Sequence, residues 1–432
     1  MTTKQLVDQI EGEASVYFDI ENEKIVFSTI AFPHFRGIEN ILKGKNALDA
    51  LVITPRVCGI CGHAHLMASV RAIEDAYKNA GHEVELSTKA KNIREFTLVM
   101  EIVQNHFKWM YMVLVPELLK LINSDEENYP LKGAYAASLA TKAIALLGGQ
   151  WPHSSYMVPG GITCDPTYIE ILQAQSFLDE LIQFFEKESL GVNLENFLGY
   201  EMSKEFEGGN ADISKIEKHL RELGMQDKGL AYDRFIVLGE HSFTKPSKMK
   251  QTRSFKVDVK HVSTIESYSP NEKTYARNAM YKDNYYEVGS LSRMMSLENP
   301  LIRNVHRRYK DSAYSRVMAR IYELAHLMKH SKDLLSSISI DENSYNKPVS
   351  IDKITASGVG VVEAPRGPLV HRVDIEEGII KKYEIITPTQ WNIGSSSKNK
   401  LTPVQKTMLG YTKAEALFIF RTFDVCSVCT TH

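Results

Sequence analysis

Four of the chain's five cysteines fall into two Cys-x-x-Cys pairs, Cys58/Cys61 toward one end and Cys426/Cys429 at the other. The first stands in Arg56-Val57-Cys58-Gly59-Ile60-Cys61-Gly62-His63-Ala64-His65, the second in Asp424-Val425-Cys426-Ser427-Val428-Cys429-Thr430-Thr431-His432. Two residues between cysteines let both sulfurs face one centre, and each pair has a histidine just downstream. Thiolates select soft or borderline transition metals, so four of them can hold one ion or a compact bimetallic unit. A structural zinc site uses the same ligands, but its halves usually lie within a few tens of residues. Here 365 positions separate Cys61 from Cys426, a loop that closes only inside an already folded large domain. A thioredoxin-like redox pair accounts for one Cys-x-x-Cys, not for two with matching histidines. The remaining reading is a catalytic centre assembled from both ends of the chain.

The other residues must supply a scaffold for it. At 432 residues the chain can bury a sizeable core. Charge is nearly balanced, 51 Lys+Arg against 53 Asp+Glu, so no strong field toward nucleic acid or anionic lipid is implied. Five cysteines are too few for a disulfide framework. The first residues carry no signal-peptide apolar stretch. The most apolar run, Phe96 to Leu119, is interrupted by Glu101, His106, Lys108 and Glu117, as in a buried helix. A soluble chain is expected, one that reaches a membrane only through a partner.

Short apolar runs in the first 50 residues suit strands and turns. Segments 88–124, 133–148, 166–190 and 305–337 carry helical periodicity, and Pro116 should kink or end the first of them. Residues 355–393 return to strand-like alternation around Gly358, Gly360 and Gly378. The expected fold is mainly α with small β elements. Within 1–432 as a single large catalytic domain, 1–87 reads as a β-rich part with the first cysteine pair and 88–200 as a helical core. Residues 200–285 read as a variable surface insertion of loops and short strands, and 286–432 as helical core plus a β-containing part with the second pair.

At its cysteine motifs the chain resembles the large, catalytic subunit of nickel–iron hydrogenases. Further matches are Ile10-Glu11-Gly12, Phe35-Arg36-Gly37-Ile38-Glu39, Pro152-His153-Ser154-Ser155-Tyr156-Met157-Val158-Pro159-Gly160-Gly161, Glu287-Val288-Gly289-Ser290-Leu291-Ser292-Arg293, Glu363-Ala364-Pro365-Arg366-Gly367 and Pro388-Thr389-Gln390-Trp391-Asn392. Residues 200–280 carry no recognisable match. The resemblance implies a central bundle of long helices, with the metal site joining the N- and C-terminal segments. It implies nickel bound by all four thiolates, with Cys61 and Cys429 bridging to iron and Cys58 and Cys426 terminal. The iron would carry carbon monoxide and cyanide in a pocket lined by Ala364, Pro365, Arg366 and Thr389, whose guanidinium and hydroxyl suit a buried cyanide nitrogen.

The implied reaction splits hydrogen reversibly into two protons and two electrons. Cys426 would act as base, with Arg366 above the open metal position and Asp424 pairing with it. Glu11 would be the first proton relay, and His65 a donor to a bridging sulfur, most plausibly that of Cys61. Glu39 and His432 match positions that hold magnesium or a similar ion. Taken singly, Glu11 is an ordinary surface carboxylate, His65 a helix cap and Arg366 a salt-bridge partner. His63, His153 and His371 read as hydrogen-bonded histidines of the fold, and Cys164 as a structural thiol. Three positions depart from the family pattern. Val425 stands where proline is usual, Glu13 where histidine is usual, and the helix register brings Pro116-Glu117 to the place of an aspartate facing the metal.

With four cysteines committed, Cys164 alone cannot ligate an iron–sulfur cluster, and no dinucleotide fingerprint is present. An obligate iron–sulfur small subunit is therefore expected, with any higher oligomer open. A chain stopping at His432 fits either a matured protein or a member lacking a C-terminal extension. The alternative reading is a hydrogen-sensing subunit with low turnover. Modest length and the unmatched mid-chain segment favour a cytoplasmic type, or one membrane-associated through a partner.

Overall fold

The computed structural model describes the chain except residues 9–11, 125–127 and 252, and except the side chains of 248–256. Glu11 lies outside the described residues. The chain opens with antiparallel strands Thr2–Val7, Ala14–Glu21 and Lys24–Ala31. Period-two alternation explains the middle strand: Val16 and Phe18 are fully buried while Tyr17 and Asp19, which alternate with them, are not. Strand structure in the expected β-rich part stops there. The rest of 1–87 is dominated by the helix Gly62–Asn79.

Helix Thr88–Lys108 forms the centre of the molecule, started by the Ser87 side chain, which accepts from the Ala90 amide. Helices Tyr129–Gly148 and Ala313–Ser336 pack along it, and Tyr168–Phe184 packs on the first of these. Pro116 neither ends nor breaks the run. A π-helical turn at Trp109–Leu114 leads into Val115–Leu121, where proline occupies the first turn of the new α segment and its missing N–H breaks no bond. The segment 305–337 is two helices, Pro300–Tyr309 and Ala313–Ser336. Lys310, at φ 53°, turns the chain between them, and Ser312 caps the second.

Strands Ala356–Ala364, Gly367–Glu376 and Ile379–Ile386 form an antiparallel sheet against the Gly62–Asn79 helix. Ala64, Ala68, Ala72 and Ala76 line one ridge of that helix, all fully buried. A Cβ on Gly358 or Gly360 would run into the backbone of Ala72 and Ala76 or of Ala68 and Ala72. The two glycines therefore set how closely sheet and helix approach.

The reading of 200–285 as surface loops and short strands needs correction. Helix Asp212–Glu222 sends Ile213, Ile216 and Leu220 into the main core, and Ile236 and Val237 are fully buried. Among the described residues, no helix is long and apolar enough to cross a membrane.

Candidate metal centre

The first cysteine loop sits on a helix start. Cys58 follows the 3-10 turn Thr54–Val57, and Cys61 occupies the N-cap of Gly62–Asn79 without capping it by its side chain. The amides of that first turn need acceptors. Glu101, fully buried on the central helix, accepts from the His63 and Ala64 amides at 2.7 and 2.9 Å. One turn further, Gln104 and Asn105 donate to the Ile60 carbonyl at 3.1 and 2.5 Å. Arg36 donates to the Val57 and Arg56 carbonyls from the other side. The sequence offered a signal for these residues, since polar groups interrupt the apolar run 96–119. That signal served only to exclude a membrane span.

The second loop follows helix Lys413–Arg421. Arg320 stacks 4.2 Å from the Trp109 ring and donates to the Thr422 carbonyl at 3.1 Å, steadying the approach. Asp424 turns the chain at φ 59°. Thr430 donates through its hydroxyl to the Cys426 carbonyl (3.0 Å), and Ser427 donates to the Glu13 carbonyl. The ring of His432 places one nitrogen 3.0 Å from the Cys429 carbonyl and the other 2.8 Å from that of Ile385.

All four sulfurs meet. Sγ of Cys58 lies 3.7 Å from that of Cys426, Cys61 lies 3.4 Å from Cys429, and Cys426 lies 3.0 Å from Cys429. None of the four is more than 5% exposed. Burial pushes the Cys58 and Cys61 thiols well above their ordinary range. Hydrogen bonds from Cys429, then Cys58 and Cys61, together with the Arg366 charge, hold Cys426 well below it. Four thiolates this close in a dry site repel one another, so full ionisation requires a cation among them.

Arg366 roofs this cluster and donates to Asp424 at 3.0 Å, as the sequence pairing anticipated. Its other terminal nitrogen donates to Asn105 at 3.4 Å. Glu117 does not approach it: that carboxylate pairs with Lys120 at 2.8 Å. Asn105, earlier on the same continuous helix, is the side chain that faces Arg366. The Ala364-Pro365 wall is held from behind by the fully buried Arg293, which donates to both carbonyls at 3.0 Å and pairs with Glu323 and Glu363. A cavity of about 520 Å³, lined by Ile60, Trp109, Met112, Val113 and Val425, opens onto Arg366 and Asp424.

Thr389 is 2% exposed, and its hydroxyl has no hydrogen-bond partner among the described residues. The same holds for Nε of Arg366 and Oδ2 of Asp424. Unmatched buried polar atoms are costly, and here two donors, on Thr389 and Arg366, accompany four converging thiols. The residues present therefore fit a thiolate-bound metal unit carrying small hydrogen-bond-accepting ligands.

His65 is fully buried, and its Nδ1 lies 3.1 Å from Nε2 of His371. Glu39 lies 3.6 Å from His432 and accepts from the Ile385 amide at 2.7 Å. Burial raises the Glu39 carboxyl, but the bond and charge of His432 outweigh this and hold it below its usual value. The Ile385 carbonyl completes this grouping, and sequence reasoning missed it because a backbone oxygen leaves no residue signature. Glu13 pairs with His34 on the surface at 2.8 Å. Cys164 is half-buried and stands apart from the cluster.

Comparison with known proteins agrees with this geometry. A family model described as nickel-dependent hydrogenase matches residues 36–121 and 210–432, which include all four clustered cysteines and most of the segment without a recognised motif. The periplasmic NiFeSe hydrogenase large subunit of Desulfomicrobium baculatum is 23% identical, with 93% of this chain and 88% of that protein covered. The sulfhydrogenase 2 subunit alpha of Pyrococcus furiosus is 26% identical, with 98% and 97% covered. Among solved structures, the Ni-Fe-Se hydrogenase from D. vulgaris Hildenborough in the reduced state superposes with a TM-score of 0.82 at 20% identity, covering 100% of both chains. That likeness confirms the mainly helical large-subunit fold. The chain belongs to the nickel-dependent hydrogenase family, as a large, catalytic subunit.

Proposed function

We propose that this chain splits and forms hydrogen at a nickel–iron centre held by Cys58, Cys61, Cys426 and Cys429, and that the electrons leave through an iron–sulfur partner subunit. The observation that carries the reading is the convergence of four buried sulfurs from opposite ends of the chain beneath Arg366. When bound, the metal pair supplies the Lewis acidity and redox capacity that heterolysis of hydrogen needs.

The chain's own groups do the rest. The four thiolates would hold the metal pair together, and the family resemblance implies that Cys61 and Cys429, 3.4 Å apart, would serve both metals, with Cys58 and Cys426 terminal. Cys426 would be the base, as the family resemblance implies, with the Arg366 charge acting on its sulfur. Asp424 orients Arg366 over the site, and the walls formed by Ala364 and Pro365 exclude water. Thr389 and Arg366 would donate to cyanide on the iron, which accounts for their unpartnered atoms. His65 offers a bridging sulfur the one ring nitrogen that His371 does not take. Glu11 is the next proton carrier. Support comes from its neighbour Gly12, at φ 86°, against which Val428 and Ser427 of the second loop pack. Glu39, the Ile385 carbonyl and His432 form an oxygen-and-nitrogen set suited to magnesium or a similar ion.

Electron exit needs a partner, since Cys164 is the only cysteine left. With that partner, the chain is taken as cytoplasmic or as membrane-associated through it. Metal analysis of the purified complex with infrared spectroscopy tests it: nickel, iron and bands of bound carbon monoxide and cyanide are expected. Zinc alone without such bands overturns it. Hydrogen-dependent dye reduction by this chain alone, at the rate of the complex, removes the partner from the proposal. Very low turnover in an intact complex points instead to a sensor.

A further inference from the structure

We infer that His371, held by Tyr383 and Ser69, is a positioning residue that fixes His65 in the tautomer with its hydrogen on Nε2. The inference rests on the proposed placement of His65 beside the bridging sulfurs and says what makes it a donor there.

Four side chains form one buried line. Ser69 Oγ lies 2.9 Å from the Tyr383 hydroxyl, which lies 2.9 Å from Nδ1 of His371. Nε2 of His371 then lies 3.1 Å from Nδ1 of His65. Ser69, His65 and His371 are at most 1% exposed and Tyr383 is 5% exposed. At 3.1 Å the two facing ring nitrogens cannot both carry hydrogen, so one donates and the other offers its lone pair. For neutral rings the line then has two self-consistent polarities.

In one polarity Ser69 donates to Tyr383, Tyr383 to His371 and His371 to His65, leaving hydrogen on Nε2 of His65. The reverse leaves a lone pair there. Two effects favour the first. A phenol is a stronger donor than an aliphatic hydroxyl, and an imidazole nitrogen a better acceptor than a serine oxygen, so Tyr383 gives its hydrogen to His371. Burial also pushes the Tyr383 hydroxyl well above its ordinary value, so it keeps that hydrogen. At the far end, where the proposed function puts the bridging sulfurs, an N–H is attracted to thiolates, whereas a lone pair is repelled.

The test uses the full chain with ¹⁵N-labelled histidine, reduced and metal-free and again in the purified metal-loaded complex. Long-range ¹H–¹⁵N NMR reads which nitrogen bears hydrogen, with resonances assigned by their loss in His65→Gln and His371→Gln. Wild type is expected to show His65 protonated at Nε2. His371→Gln, whose amide still accepts from Tyr383 and donates to Nδ1, is expected to keep that form. Tyr383→Phe should turn it into a mixture of tautomers and weaken nickel retention roughly 10- to 100-fold. His371→Leu has the same expected effect and serves if Tyr383→Phe does not fold. A merely structural role lowers the melting temperature without moving the tautomer. Hydrogen on Nδ1 of His65 in wild type, or no tautomer change in both disruptive variants, overturns the inference. Failure of the functional reading looks different: wild type lacks nickel while its Nε2 tautomer stands.

Discussion

The two cysteine loops meet at one centre but are built on opposite principles. Around Cys58 and Cys61, buried side chains of the central helix cap and brace the loop, so packing of the core sets its shape before any ligand enters. The loop of Cys426 and Cys429 is tied by a few hydroxyl and imidazole contacts to Glu13, Ile385 and its own backbone. One half is prebuilt scaffold. The other closes onto it, and the metal contributes more to its order.

Arg293 is where that contrast is most exposed, because it anchors the wall between the loops. Replacing it with Met leaves Glu323 and Glu363 buried without their counter-charge. Unfolding free energy should fall by about 3–5 kcal/mol, with the metal lost as well. Denaturation within 1 kcal/mol of wild type removes the wall as a load on the core.

Glu101→Ala strands two buried amides at the first loop. A loss of about 3 kcal/mol is expected, visible in urea melts of the metal-free chain. An equal loss from substitutions in the second loop, without metal, abolishes the distinction between scaffold and closure.

Acid sharpens the comparison further. His65 and His106 are pushed down to about 3 and about 4 by burial, and His241 and His371 lie well below their ordinary value for the same reason. Folded values below the unfolded 6.5 mean full stability above that pH. As pH falls below 6.5, the unfolded chain binds protons that the fold excludes. Each such histidine then costs about 1.4 kcal/mol per pH unit until its folded value is reached. Urea midpoints should drop from pH 6.5 to 5 with uptake of more than one proton on unfolding. Flat midpoints over that range contradict the buried neutral histidines.

The smallest effect belongs to the second loop. Ser427→Ala removes the tie to Glu13 and should cost the metal-free chain about 1 kcal/mol or less. Nickel should nevertheless dissociate several-fold faster on dialysis. Unchanged retention shows that the loop is ordered by other means.

Much of the site was legible in sequence because its residues carry local motifs. The four cysteines, the Arg366–Asp424 pair and the Glu39–His432 neighbourhood all come together as their motifs implied. What sequence missed depends on contacts between distant elements. Asn105 meets Arg366 across 261 positions of sequence, a contact that no local motif announces. Whether Glu117 takes the aspartate's place stays open in sequence, because helix register alone does not say which face meets the metal; its carboxylate pairs with Lys120. Pro116, expected to kink or end its helix, does not end the helical run: it falls in the first turn of the α segment that follows the π turn. His371 read as an ordinary histidine of the fold, and its partner His65 lies 306 positions earlier.

The separation of the two cysteine pairs also has a meaning in time. At roughly 5–20 residues per second of synthesis, the second pair emerges some 20–70 s after the first. During that interval the central helix can already brace Cys58 and Cys61, while the strands that pack against the Gly62–Asn79 helix come late and the second loop comes last. Whatever delivers metal can therefore reach an open nest, and the final residues act as its latch. The order of synthesis becomes an order of assembly.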